Sequence, residues 1–477
     1  MNKEVRIQKI QEIIERDKTR TDLLNHEIMW EKQLKTEKVY NIPLSYLLYN
    51  KYNGRILSRT KSLEKQKQEI KLETDEGRNL IENLLWESKV DRNKKTLASI
   101  KDFGQQKVGI ITKDGVIIDG NRRAMLLNKI DRTGYFKAIV LPVTLEENPI
   151  EIERLETTYQ MGEDEKLRYN PIEKYLKAKQ IFDKLAAKLK DTDAIKSIAE
   201  WMDQTEGEIK NYLDTMAVMD EYLEYWEYDG IYTQLDKKED QFLSLSKWLN
   251  TFYGASSKKA DWAYTDNDVD ELKAIAFDFI RLRGGSEQEN FDGKEFRNLA
   301  EGNNDKHFFG NKEIWESFSS KHNEILRKLP KESEIDFNST NLENHLNARD
   351  KLFFDSSIFE NEKSEFLENL NEHKYLVGYN KAADEPEKLI KRASQTFEAI
   401  KTSHKAFAKP EVQKMVQELG DKVFSSLQKK SPSTVLSHII ELMESIEVDK
   451  IPADEVQEVQ DKTKKIQQIG YLINKNL

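Results

Sequence analysis

Apolar positions change their period along the chain, and that change divides it. Val5, Ile10, Ile13, Ile14, Leu23, Leu24, Ile28 and Leu34 recur among charges at helical spacing, which predicts an amphipathic helix or helical pair over residues 1 to 37. Shorter runs follow: Val39 to Leu48 with Pro43 at an edge or turn, Val108 to Ile111, Val116 to Ile118, and Tyr135 to Val143. These read as strands, with Asp114-Gly115 as a hairpin turn between the middle two. Leu80, Ile81, Leu84, Leu85 and Trp86, then Leu97 and Ile100, restore helical spacing between the first strand and the second. The stretch Ser58 to Asn79 is nearly all polar and predicts a solvated helix or a loop. From Ile150 onward the pattern is almost wholly helical. The expected fold class is therefore α+β: a small mixed sheet with its helices, followed by a mainly α-helical half.

A chain of 477 residues exceeds what one core usually serves. Five segments are expected: a helical arm over 1–37, an α+β domain over 38–165, a helical region over 166–230, a helical domain with a loop-rich connector over 231–384, and a C-terminal helical bundle over 385–477. The bundle reads equally as an oligomerisation element or as a self-contained domain. The run Asp220 to Asp229, with Tyr222, Tyr225, Trp226 and Tyr228, reads as a packed aromatic cluster or a partner-facing patch.

Composition narrows the chemistry. There is no cysteine, which removes disulfides, thiolate zinc sites and cysteine nucleophiles. The seven histidines lack the spacing of a zinc hydrolase. With no run of eighteen apolar residues and no apolar leader core, a cytoplasmic protein with no membrane partner is expected. A net charge of −10 disfavours coating nucleic acid through the whole surface and leaves room for a local basic groove.

One stretch gathers unusual chemistry. Val116 to Ile118 is a buried-type strand, Asp119-Gly120-Asn121 a turn, and Ala124, Met125, Leu126, Leu127 and Ile130 a helix, so Arg122 and Arg123 fall in its first turn. Cations are unfavourable there unless an anion is bound. An anion site at Asp119, Gly120, Asn121, Arg122 and Arg123 is one reading, with Arg55 of the loop Tyr49 to Arg55 as a third cation. Pairing of both arginines with surface carboxylates is the other. Further on, Asn170 as a cap, Pro171 at the first helical position and Glu173 three residues after the cap begin a helix whose exposed positions carry Lys174, Lys177, Lys184 and Lys188. Two short helices, Asp193 to Met202 and Glu206 to Met219, then have helix-turn-helix geometry. The second opens on Glu206 and Glu208, which would repel a duplex, so DNA contact is expected from the four lysines.

Taken in order, these parts resemble the ParB/sulfiredoxin superfamily, in particular ParB-like partition proteins. Ile42 to Arg55 looks like the opening strand and Asn-x-Arg loop, and Phe103-Gly104-Gln105-Gln106 like the turn before the paired strands. Asp119 to Ala124 is similar to the arginine box that binds nucleotide phosphates, and Tyr169-Asn170-Pro171-Ile172-Glu173 to the stretch preceding a helix-turn-helix. The likeness spans roughly residues 38 to 230. Where the family has a Glu-Asn-x-x-Arg box beside base and metal, Leu155 to Gln160 keeps the glutamate, Glu156, and lacks the asparagine and arginine.

The resemblance implies a nucleoside triphosphate ligand, CTP or ATP, with Mg²⁺ held by Glu156, and a switch or adaptor associated with double-stranded DNA, as in partition or in mobile-element and anti-phage regulation. Two alternatives stand beside it. One is a nuclease or NTP-hydrolysing enzyme (CTPase or ATPase) with Asp119 and Glu156 as its catalytic carboxylates. The other is a structural interaction protein with a vestigial anion site, whose helical half binds a protein partner or a second copy.

Overall fold

A computed structural model describes residues 1–66, 69–162, 171–253, 260–285, 295–328, 346–350, 365–381, 385–428 and 431–477. They form two compact units, Met1–Ala383 and Asp384–Leu477.

The first unit opens with α1 (Lys3–Asp17), capped by Asn2, whose side chain accepts from the Val5 N–H. The remainder of the expected helical arm is a β-hairpin, β1 (Asn25–Trp30) and β2 (Gln33–Lys38), which turns on Glu31 and Lys32 at φ of +52° and +61°. Period decides it: Ile28 and Trp30, two apart, are buried, whereas Leu24 and Leu34, which had completed a helical stripe, stand exposed.

A four-stranded mixed sheet follows in the order β3-β6-β4-β5, from β3 (Tyr40–Pro43), β4 (Gly109–Ile111), β5 (Ile117–Asp119) and β6 (Tyr135–Val140). β6 runs antiparallel to β3 and parallel to β4, and β4 is antiparallel to β5. Pro43 lies on edge strand β3, where a missing N–H costs no ladder bond. Both faces of the sheet are covered. Ile42, Ile111, Ile117 and Phe136 pack on one side with Ile10 of α1, Ile81 and Leu85 of α3 (Asp75–Glu87), Ile100 of α4 (Val90–Phe103) and Met125 of α5 (Asn121–Ile130). Ile110, Ile118 and Ile139 point the other way, onto Ile28 and Trp30 of the hairpin and Ile152 and Leu155 of α6 (Pro149–Gly162). Consecutive isoleucines thus serve opposite cores, which is why these strands read as unbroken apolar runs.

Of the polar stretch Ser58 to Asn79, the first part is packed rather than solvated, while Glu69, Lys71 and Glu73 to Glu76 are exposed. α2 (Leu57–Lys65) buries Leu57, Ser58, Thr60 and Ser62, with the hydroxyls of Thr60 and Ser62 returned to backbone carbonyls. It joins the sheet domain to a helical body made by α7 (Pro171–Ala186), α8 (Asp191–Met202), α9 (Glu206–Tyr225), α10 (Glu239–Phe252), α11 (Asp266–Gly285), α12 (Lys312–Leu326) and α13 (Glu365–Lys381). α7, α8 and α9 pack as the expected helix pair on its preceding helix, around Ala178, Ile181, Ile198, Met202 and Ile209, and α9 begins on a Thr205/Glu208 capping box. The cap assigned to Asn170 lies outside the described residues. Tyr222 and Tyr228 of the aromatic run are buried, while Tyr225 is exposed. The interval read as a connector contributes Phe296, Phe308 and Phe309 to the largest core.

The second unit holds α14 (Pro386–Glu398), α15 (Pro410–Gln428), α16 (Pro432–Glu444) and α17 (Val456–Asn476). Among its described residues none is buried.

Candidate functional site

Strand β5 ends at Asp119, and the chain reverses through Gly120 at φ +101° before α5 begins. Only glycine takes that conformation freely, and a Cβ there would stand 2.7 Å from Cζ of Phe136. No side chain caps α5, so its first-turn amides face outward from the end of a buried strand. Asn121, at the first helical position, is buried and structural: its Oδ1 accepts from the Asn50 N–H at 2.8 Å and its Nδ2 donates to the Ile117 carbonyl at 2.9 Å. It fastens the loop before α2 to the end of β5.

The two arginines are held by the protein. Arg122 donates from Nε to Asn93 and from a terminal nitrogen to Oγ1 of Thr96 at 3.0 Å, both on α4. Arg123 donates to the carbonyls of Lys107 and Val108, at 2.6 and 2.9 Å, and pairs with Asp119 one turn earlier. A cation in the first turn of a helix is thus offset in part by its own strand's carboxylate. Gln105 orders the same rim: its amide donates to the Lys137 carbonyl at 2.8 Å and accepts from the Lys137 N–H at 2.7 Å.

Asp119, Gly120, Asn121, Arg122, Arg123 and Thr96 line a cavity of about 430 Å³ with Asn53 and Arg55 from the loop, Gln106, Lys107 and Val108 beside β4, His26 from the hairpin and Tyr159 from α6. Asp119, Gly120, Asn121, Arg122, Arg123 and Arg55, separated by up to sixty-eight positions in sequence, come together there. Four cationic side chains face one carboxylate, and the local field favours an anion although the chain as a whole is acidic.

Glu156 is not among the lining residues. It is buried behind the loop, where Oε1 accepts from Asn50 at 3.2 Å and Asn53 at 3.5 Å, and Oε2 meets Lys177 at 3.3 Å. Both oxygens are engaged by donors, so the residue does not fit the role of Mg²⁺ ligand or catalytic base expected for it. Among the described residues no group of three or more histidines, aspartates and glutamates is placed to hold a metal ion. Asp119 is the carboxylate that faces the cavity, and Arg123 occupies one of its oxygens.

The lysines expected to meet DNA do not form one face. Lys177 is buried between Glu153 and Glu156, and Lys184 pairs with Glu153. Burial would raise the Glu153 carboxyl, but the two lysines outweigh it and hold the group well below the usual carboxylate range. Of the four, Lys184 and Lys188 are exposed and Lys174 is half-buried. Glu173, expected in a capping role on its own helix, instead reaches across to α2, accepting from the Ser58 N–H at 3.0 Å and its hydroxyl at 2.6 Å. Burial pushes its carboxyl up to about 7 despite those two donors.

Sequence reasoning did not assign His26, Asn53, Asn93, Thr96, Lys107 or Tyr159. His26 sits on the hairpin misread as helix. For Asn53 two signals were available, the Asn-x-Arg spacing to Arg55 and the pair Asn50 and Asn53, three apart in a turn before a helix. Compared with known protein families and with curated proteins, the chain matches none. Among the described residues no helix is long and apolar enough to cross a membrane.

Proposed function

We propose that this protein binds the phosphates of a nucleotide at the start of α5 and acts as a nucleotide-responsive adaptor, the role the ParB-like order of its motifs suggests. The observation that carries the reading is the uncapped N-terminus of α5 opening into a cavity lined by Arg55, Lys107, Arg122 and Arg123. Its size suits a nucleotide better than a duplex. Because Asn53 and Arg55 lie on the loop that runs into α2, and Glu156 ties that loop to Lys177 of α7, a ligand there bears directly on the helical body. Hydrolysis is not part of the proposal: donors engage both oxygens of Glu156, and Arg123 pairs with Asp119. Reading of DNA is not part of it either: Lys177 and Lys184 are committed to α6, and α9 opens on acid.

Calorimetric titration with CTP, ATP and GTP, each with Mg²⁺, tests it. Wild type should bind at least one of them. Arg55→Ala and Lys107→Ala should each raise Kd by about tenfold to a hundredfold, as expected for loss of a charge-assisted contact of roughly 1.5–3 kcal/mol. No binding by wild type, or unchanged affinity in both variants, overturns the reading.

A further inference from the structure

Charge is distributed unevenly along the chain. Of its 76 Lys and Arg and 86 Asp and Glu, twelve and five fall within residues 89 to 137, a cationic surplus of seven against a remainder acidic by seventeen. Folded surfaces ordinarily intersperse the two signs, and a local field of one sign marks a face for a charged partner. Part of the surplus belongs to the cavity already described. Another part stands outside it, on α4.

Arg92, Lys95, Ser99 and Phe103 of α4 follow one another at intervals of three, four and four, so they share one flank of the helix. All four are exposed, and Thr96 beside them, half-buried, lines the cavity. Beyond Thr96 lies the core side of the helix, where Asn93 and Ile100 are buried. Neither Arg92 nor Lys95 pairs with a carboxylate among the described residues. Phe103 is 70% exposed at the end of the helix, and Gln106, which also lines the cavity, donates to its carbonyl. Arg92 and Phe103 stand eleven residues apart, about 16 Å along the helix axis.

Unpaired cations beside an open aromatic face suit one class of partner. Single-stranded nucleic acid offers phosphates to the cations and an unstacked base to the ring. A duplex keeps its bases stacked on one another, out of reach of Phe103. An acidic peptide has no base to stack, and a lipid surface asks for a broad apolar face, whereas Phe103 is the one apolar residue among these four. The acidic remainder of the chain limits contact to a few nucleotides.

We propose that the exposed flank of α4 binds a short single strand of nucleic acid independently of its base sequence, Phe103 stacking on a base while Arg92 and Lys95 meet backbone phosphates. The inference goes beyond the nucleotide reading and does not rest on it, since none of Arg92, Lys95 and Phe103 lines the cavity.

Fluorescence anisotropy on the full chain, with labelled oligothymidylate and oligouridylate of about twelve nucleotides, tests it. At least one should bind with a micromolar Kd at low salt and weaken as salt rises, and the tighter of the two tells which strand the flank favours. A blunt duplex of the same length should bind at least about tenfold more weakly. Phe103→Ala should raise the Kd for the strand at least about fivefold, as expected for loss of one stacked base, and Arg92→Glu/Lys95→Glu about tenfold or more. These variants alter exposed side chains and leave the core untouched. Lys94→Glu/Lys101→Glu makes the same change in charge on the opposite flank of α4 and should cost less than about threefold. Absence of binding to either strand, duplex binding as tight as strand binding, unchanged affinity in Phe103→Ala, or equal losses from the two charge-reversed pairs overturns the proposal.

Discussion

At Gly120 two requirements meet, a left-handed backbone and a neighbour too close for any side chain. The φ of +101° alone costs an L-residue about 1–2 kcal/mol. The contact with Phe136, itself buried in the sheet core, adds strain because that ring has no room to withdraw. Gly120→Ala should therefore lower the unfolding free energy by about 2 kcal/mol or more, read from urea denaturation, whereas a loss within about 0.5 kcal/mol would mean that the turn tolerates a Cβ. The residue scale also explains why the arginines misled in part. Their position in a first turn pointed to where the cavity opens, but Asp119 already offsets Arg123, and Asn93 and Thr96 already orient Arg122. They arrive at the cavity pre-positioned, so a ligand would not have to order them.

Between elements the deciding contacts are buried carboxylates reaching from one helix to another. α2 has no capping side chain of its own, and Glu173 of α7 supplies the acceptor from outside. Because burial raises the Glu173 carboxyl from 4.5 to about 7, the folded state keeps a proton that the unfolded chain loses. Its contribution to stability is thus complete below pH 4.5 and is lost as pH rises through about 7. Glu173→Gln cannot lose that proton. From pH 4.5 to above 7, wild type should lose about 3 kcal/mol relative to the variant. Urea denaturation of both proteins across that range checks this, and a difference that does not change with pH would refute it. Such contacts also mark what sequence could not show. α5, α8 and α9 were legible because their periods, caps and turns are local. β1 and β2 were not, since exposed Leu24 and Leu34 imitate a helical stripe. Lys177 looked solvated because only the approach of α6, with Glu153 and Glu156, decides which face of α7 is inside. The sheet order depended on β6 choosing β4 as a parallel neighbour, and no short-range pattern encodes that choice.

Across the whole molecule, burial is confined to one unit. All described core residues lie in Met1–Ala383, and the cavity that gathers Arg55, Lys107, Arg122 and Arg123 lies there too. The charge balance points the same way about the ligand: a chain at −10 repels a long polyanion at distances within about 8 Å at physiological salt, while a small anion that enters the cavity meets a local cationic excess. The second unit carries apolar helix faces without a core of its own. The two halves should therefore separate by function. A fragment ending at Ala383 should unfold cooperatively and bind nucleotide with a Kd within about threefold of the full chain. Its own core clusters supply the folding energy, so loss of cooperative unfolding would contradict the division. A cooperative fragment with weakened nucleotide affinity would contradict it as well.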